Sequence, residues 1–319
     1  MPDKTRWWQS FQKDCLMRSK LDEFLRDQPP FDIIDCPPMF VSKRIHDSTI
    51  VVARSVQPDI SYILSDIRNI RSIRQLVILP SSYLFALLKI LLVFLGWKRA
   101  NFILCLGSLE LKSMKAWCPW WRSKLISYKN ALAKYQQTEL MQVRLSRNKN
   151  EKEGTRFLWI GRWVAHKGVK ELVSFIMKST ASNSRDTFTI AGCGSLAERD
   201  FPWELIQNGT VRILPSFGRS ELSSLLAEHD VGLFTSRVEG WGLVLNEMLE
   251  SGMYVSATQA GGVPDLQPFF KHTLQSFPPA IQTFSQETIK PEPMETYYDI
   301  FSWKKIAEEY IKSLTSYLQ

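Results

Sequence analysis

The chain of 319 residues holds only five cysteines. They are Cys15, Cys36, Cys105, Cys118 and Cys193, scattered and never spaced as Cys-x-x-Cys. An odd, dispersed set of this kind argues against a disulfide frame and a structural zinc site, and for reduced thiols in a cytoplasmic setting. No Asp-x-Asp pair is placed to hold a metal. The amino terminus, MPDKTRWWQSFQKDC, lacks the apolar core that a signal peptide carries. A long apolar run is also missing. The longest, Tyr83–Gly96, covers about fourteen residues with Lys89 inside it, against the roughly twenty a spanning helix needs. It reads as a buried helix, with an interfacial one as the alternative, because Trp97, Lys98 and Arg99 follow it.

Acidic residues are scarce in one region. Between Ser61 and Asn150 there are fifteen Lys and Arg but only Asp66, Glu110 and Glu139. Residues 1–153 hold 25 basic and 14 acidic residues, net +11; residues 154–319 hold 15 and 18, net −3, which together give the chain its +8. A basic half of this kind suits a solvated face, an anionic membrane surface or an anionic acceptor. Nucleic acid is not expected as a partner, since no recognition motif accompanies the charge.

What is present is enough for two domains. Hydrophobic residues make up 45% and charged residues 23%, the balance of a globular chain long enough for two cores. In the first half, strands are expected at Phe31–Cys36, Thr49–Arg54, Asn101–Leu106 and Ser123–Ser127. Helices are expected at Lys20–Asp27, over the apolar run, and from a capping Ser108 to Trp117. The polar stretch Ser146–Gly154 reads as a linker, which places the domains at 1–153 and 154–319.

Beyond Gly154 the alternation is regular. Strands are expected at Phe157–Ile160, Thr187–Ala191, Val211–Leu214, Val231–Phe234 and Tyr254–Ala257. Helices are expected at Gly168–Lys178, at Ser220–His229 with Ser220 as cap, at Gly242–Ser251 and at Phe301–Leu318. Short apolar strands alternating with helices predict an α/β fold with a parallel sheet covered on both faces.

Ligands of such sheets bind where strands end and helices begin. The loop Gly161–Gly168 offers Arg162 and Lys167, a planar fork and a point charge that suit a phosphate group. Gly192-Cys193-Gly194 is a weaker signal that a tight turn explains equally well. The segment Ser236–Glu247 is more informative. Gly240 and Gly242 let backbone approach a ligand, and the helix that follows presents unpaired N–H groups to a phosphate. Glu239 stands before that helix, and Glu247 lies inside it among Leu243, Val244, Leu245, Met248 and Leu249. A carboxylate on a largely apolar helix points to function.

These motifs, in order, are GRWVAHKG, IAGCGS, EGWGLVLNE, Ser251-Gly252 and Gly261-Gly-Val-Pro-Asp, with a closing helix around Trp303. Together they resemble the retaining glycosyltransferases of family 4, which have the GT-B fold of two Rossmann-like domains. The resemblance covers about residues 156–319. It implies that Arg162 and Lys167 bind the diphosphate of a nucleotide-sugar donor, and that Glu239 lies against the donor sugar. It further implies that Glu247 holds the ribose and that the amides of Leu243 and Val244 face the phosphate. It implies no metal and no cofactor besides the donor. The acceptor would be a sugar or a lipid-linked group chosen by the N-terminal domain, in polysaccharide, lipopolysaccharide or glycolipid synthesis. The setting implied is cytoplasmic, with peripheral contact at the inner membrane face.

The first half departs from the family pattern. The usual first strand and Gly-rich loop ahead of Phe31 are not found, Val56 stands where relatives carry a His, and Lys129-Asn130-Ala131 replaces Asn-Gly. A catalytically silent nucleotide-sugar-binding protein or partner subunit is therefore the rival reading.

Overall fold

The computed structural model describes residues 4–56, 61–62, 73–147, 154–182, 185–279 and 295–316. Two compact units share the chain, residues 1–128 and 129–319.

In the first unit, helix α1 (Lys4–Arg26) precedes strands β1 (Ile33–Cys36) and β2 (Ile50–Arg54). Helix α2 (Ile73–Arg99), strand β3 (Phe102–Leu106), helix α3 (Gly107–Trp117) and strand β4 (Leu125–Tyr128) follow. The four strands are all parallel and stand in the order β1-β2-β3-β4. β3 is buried along its whole length, as expected of a central parallel strand with both faces covered. Val93 and Trp97 of α2 join Val51, Ala53, Ile103, Cys105 and Met114 in one core. The apolar run thus lies inside α2 and is half core. Leu84, Leu87 and Leu91 stay exposed along one side, and Lys89 pairs with Asp14 of α1 at 2.9 Å. No helix among the described residues is long and apolar enough to cross a membrane.

The second unit begins with helix α4 (Lys134–Ser146) and strand β5 (Arg156–Ile160). Helix α5 (Val169–Ala181), strand β6 (Thr187–Ala191), the short helix α6 (Trp203–Gln207) and strand β7 (Val211–Leu214) follow. Then come helix α7 (Leu222–Ala227), strand β8 (Val231–Phe234), helix α8 (Leu243–Glu250) and strand β9 (Tyr254–Ala257). Helix α9 (Val263–Leu266), strand β10 (Leu274–Ser276), helix α10 (Glu295–Ile300) and helix α11 (Trp303–Thr315) complete the unit. Its six parallel strands are ordered β10-β9-β8-β5-β6-β7. Counted from β5 as the first, this is the doubly wound order 3-2-1-4-5-6, and the order reverses between β5 and β8. Phe157, Trp159, Ile176, Phe188, Ile190 and Leu233 form its core.

Several details differ from the sequence reading, beginning with α1, which starts at Lys4 rather than Lys20. The units divide after Tyr128 rather than at the polar stretch, because α4 packs on α7 and α8. Arg147 then ties the end of α4 to the same unit, its guanidinium donating to the carbonyls of Leu226 at 2.6 Å, His229 at 2.8 Å and Ser251 at 2.6 Å. Those are carbonyls at helix ends, which have no partner within their own helix. Residues 148–153 of the expected linker lie outside the described residues. Ser108 does not cap α3; the carboxylate of Glu110 accepts the Leu106 N–H at 2.6 Å instead. Ser220 does not cap α7 either. It sits within a single 3₁₀ turn, Arg219–Glu221, and the Glu221 carboxylate accepts the Gly218 N–H. By contrast, Ser302 caps α11, accepting the Lys305 N–H at 3.4 Å.

Candidate functional site

The two strands flanking the switch point send their loops toward each other. From β5 the chain runs through Arg162 and a short turn at Ala165–Lys167, then enters α5 at Gly168. From β8 it runs through Thr235–Gly242 into α8. The loops are joined by backbone: the His166 carbonyl accepts the Arg237 N–H at 2.8 Å and the Val238 N–H at 3.3 Å. Thr235 adds a side-chain tie, donating from Oγ1 to the Lys167 carbonyl at 2.7 Å and accepting the Trp159 indole N–H at 3.0 Å.

Gly168 makes this approach possible. Its φ is +69°, and a Cβ there would meet the Thr235 carbonyl oxygen at 1.8 Å. Gly242, with φ +85°, ends the second loop, where a Cβ would meet the Phe234 ring at 2.7 Å. Both positions combine a left-handed backbone with no space for a side chain.

The junction brings Lys167 and Glu239 together as an ion pair, the Nζ on Oε2. Ser236 Oγ donates to the same carboxylate oxygen at 3.1 Å. Both charged side chains are largely buried. Arg162 is exposed at the start of the first loop. His166 is buried beside them, and desolvation first, then the charges of Lys167 and Arg162, lower its pKa below the ordinary value. Its positively charged form is thereby disfavoured.

The amides of Leu243 and Val244 lie ahead of the first helical bond of α8, Leu245 N–H to the Gly242 carbonyl at 2.8 Å. They are the unpaired donors of a helix N-terminus. The Leu243 side chain is exposed, while Gly240, Gly242 and Val244 are half-buried.

Glu247 is not paired with the Lys167 cluster. Its side chain is 5% exposed, and Oε1 accepts from Arg219 at 2.5 Å. Burial raises the carboxyl pKa, and Arg219 works against that rise. Sequence reasoning missed Arg219, which lies 28 positions away in the loop after β7. It also missed a buried chain of hydrogen bonds behind the second loop. Trp241 Nε1–H donates to Asn246 Oδ1 at 2.7 Å, Asn246 Nδ2 donates to the Tyr297 hydroxyl at 2.8 Å, and that hydroxyl donates to Glu250 at 2.8 Å. Glu250 is fully buried, and desolvation pushes its pKa up to about 7. The one signal in the sequence was a second carboxylate on the same apolar helix.

Residues 154–272 match the family model described as glycosyl transferases group 1. Among curated proteins, the phosphatidylinositol N-acetylglucosaminyltransferase gpi3 subunit of Schizosaccharomyces pombe is 26% identical over 176 residues, 50% of this chain and 38% of that protein. The GPI3 subunit of Saccharomyces cerevisiae is 27% identical over 127 residues, 39% of this chain and 28% of that protein. The matched stretch therefore spans well under half the length of these relatives. Among solved structures, sucrose-phosphate synthase from Thermosynechococcus elongatus aligns with a TM-score of 0.67 at 14% identity, covering 97% of this chain and 79% of the other. Anabaena HepE in complex with UDP aligns at 0.56 and 17% identity, covering 84% and 72%. At such identities the likeness shows the fold. Residues 154–272 thus carry a similarity to group 1 glycosyltransferases, and the chain has the α/β fold seen in the GT-B structures.

Proposed function

We propose that the protein moves a sugar from a nucleoside-diphosphate donor to an acceptor hydroxyl with retained anomeric configuration, as members of family 4 do. The carrying observation is the Lys167–Glu239 pair at the switch point, formed between two strand-end loops at the foot of α8. Ligands of doubly wound sheets bind in that crevice. A diphosphate held by Lys167, Arg162 and the amides of Leu243 and Val244 brings its sugar beside Glu239, with Gly240 and Gly242 keeping the approach clear. The bond from the anomeric carbon to the β-phosphate oxygen breaks, and the acceptor oxygen bonds to the same carbon. The acceptor proton passes to the departing diphosphate. Fixed cations and amides aimed at that developing charge stabilise the transition state without a metal ion. Glu239 faces the positive character on the sugar, and Glu247 holds the ribose diol.

The names of the yeast relatives favour a glycolipid product, with N-acetylglucosamine as the sugar and an inositol phospholipid as acceptor, and the UDP bound to HepE favours a uridine nucleotide as carrier. The relatives are named as subunits, so partner chains belong to the proposal. The first unit is assigned to the acceptor, and its basic excess to an anionic membrane surface. Lipid vesicles containing anionic lipid should sediment the protein and release it at high salt; binding that is equal on neutral vesicles removes the electrostatic part.

The function is tested by incubating the protein with UDP-N-acetylglucosamine and acceptor-bearing vesicles. Expected are sugar transfer, or slow donor hydrolysis without acceptor, and their loss in Lys167→Ala. UDP binding with neither transfer nor hydrolysis, in the presence of partner chains, would establish the silent binding protein instead. Val56, 61% exposed where the family resemblance implies a His, is the observation that keeps that second reading open.

A further inference from the structure

We propose that Arg219 is a positioning residue for nucleotide recognition, fixing the Glu247 carboxylate as the acceptor of the ribose diol. The inference rests on the ribose role given to Glu247 above and extends it to a residue that none of the family motifs contains.

The geometry is asymmetric. Glu247 is 5% exposed on its side chain, whereas Arg219 is 55% exposed, and they meet at 2.5 Å through one guanidinium nitrogen. Only Oε1 of Glu247 is engaged by Arg219. An ion pair with so open an arginine contributes little to folding, yet the carboxylate it touches is held in a site that disfavours charge. The charged group facing Glu247 from the neighbouring loop is Arg219. One turn away on its own helix stands Glu250, whose interaction with Glu247 is repulsive. Arg219 is therefore the group that works against the burial that favours the protonated form of Glu247.

Ionisation matters for a diol. A carboxylate accepts hydrogen bonds on both oxygens, while a protonated carboxyl spends one oxygen as a donor. With Arg219 on Oε1, the charged form is favoured and the carboxylate is oriented to accept two ribose hydroxyls. Without Arg219, burial favours the protonated form, more so as the pH falls. A purely structural arginine would not couple diol recognition to pH.

The experiment measures binding of UDP and of 2′,3′-dideoxy-UDP by calorimetry, from about pH 8 to about pH 6. Wild type should prefer the natural ribose at both ends of the range. Arg219→Ala should lose roughly tenfold in UDP affinity, lose more at the acid end, and bind the dideoxy nucleotide as wild type does. Arg219→Lys should recover part of the preference, because it restores the charge without the planar fork. If Arg219→Ala keeps the wild-type preference at both pH values, the proposal is overturned while the ribose role of Glu247 stands. If wild type shows no preference for the diol, the ribose role itself fails, and the proposal with it.

Discussion

The two units are built alike and finished differently. In both, parallel strands end in polar side chains on the carboxyl edge of the sheet, where ligands of such folds bind. In the first unit those groups satisfy one another. Arg54 forks onto Asp35 and lies 4.8 Å over the Tyr128 ring, Tyr128 donates to the Ser55 carbonyl, and Ser55 donates to Glu110 at 2.6 Å. In the second unit the corresponding edge holds the Lys167–Glu239 pair beside an exposed Arg162 and the unpaired amides of α8. Glycines without space for a side chain bring its loops together. The first edge is closed by a charge pair and a phenol; the second sets a charge pair beside an exposed arginine and backbone amides, materials that recognise phosphate.

The largest effect should come from the glycine that joins the second unit's loops. Gly168→Ala places a Cβ against the Thr235 carbonyl in a left-handed backbone, and should cost about 2–4 kcal/mol in denaturant unfolding. Gly194 has nearly the same φ, +70°, with nothing within 4 Å of an added Cβ. Gly194→Ala should cost only about 1 kcal/mol. Equal costs would mean that the loop junction contributes no constraint of its own.

The buried chain behind the second loop makes a pH prediction. Glu250 has its pKa raised from 4.5 to about 7 in the folded state, so the folded form binds the proton more tightly than the unfolded one. Its contribution is complete below pH 4.5 and is lost as the pH rises through 7. The loss is on the order of 3 kcal/mol. Unfolding free energy measured across that window should fall less steeply in Glu250→Gln. An unchanged slope would show that Glu250 stays ionised.

A smaller effect separates the two edges directly. Arg54→Ala should leave UDP affinity within about twofold and cost at most about 1 kcal/mol of stability, since its pair with Asp35 is partly exposed. Lys167→Ala should weaken UDP by roughly 1.5–3 kcal/mol. Similar UDP losses in both variants would erase the distinction between the edges.

Much of this was legible in the residues. Strands β5 and β8 read clearly because both their faces are buried, so their sequences are nearly continuous apolar runs. The loops after them were found because Gly, Lys, Arg and Glu cluster there. α4 stayed hidden because its sequence, KYQQTELMQVRLS, is mostly polar and buries only Leu140 fully. β10 has three residues, too few to show a period. Arg219 and Glu250 were missed for a different reason: their partners come from distant loops and helices, which local spacing does not reveal.

The most direct measurement compares two carboxylates that differ in placement. Glu239 sits at the loop junction on Lys167, and Glu247 lies inside α8 on Arg219. An interaction made equally in ground and transition states shows in affinity, and one that grows during the reaction shows in kcat. Binding of UDP and steady-state transfer should therefore be measured side by side for both variants. Glu247→Gln is predicted to bind UDP more weakly, whereas Glu239→Gln binds it nearly as wild type does and transfers sugar slowly. If Glu239→Gln weakens UDP while Glu247→Gln lowers only kcat, the assignment of sugar and ribose to these two residues is contradicted.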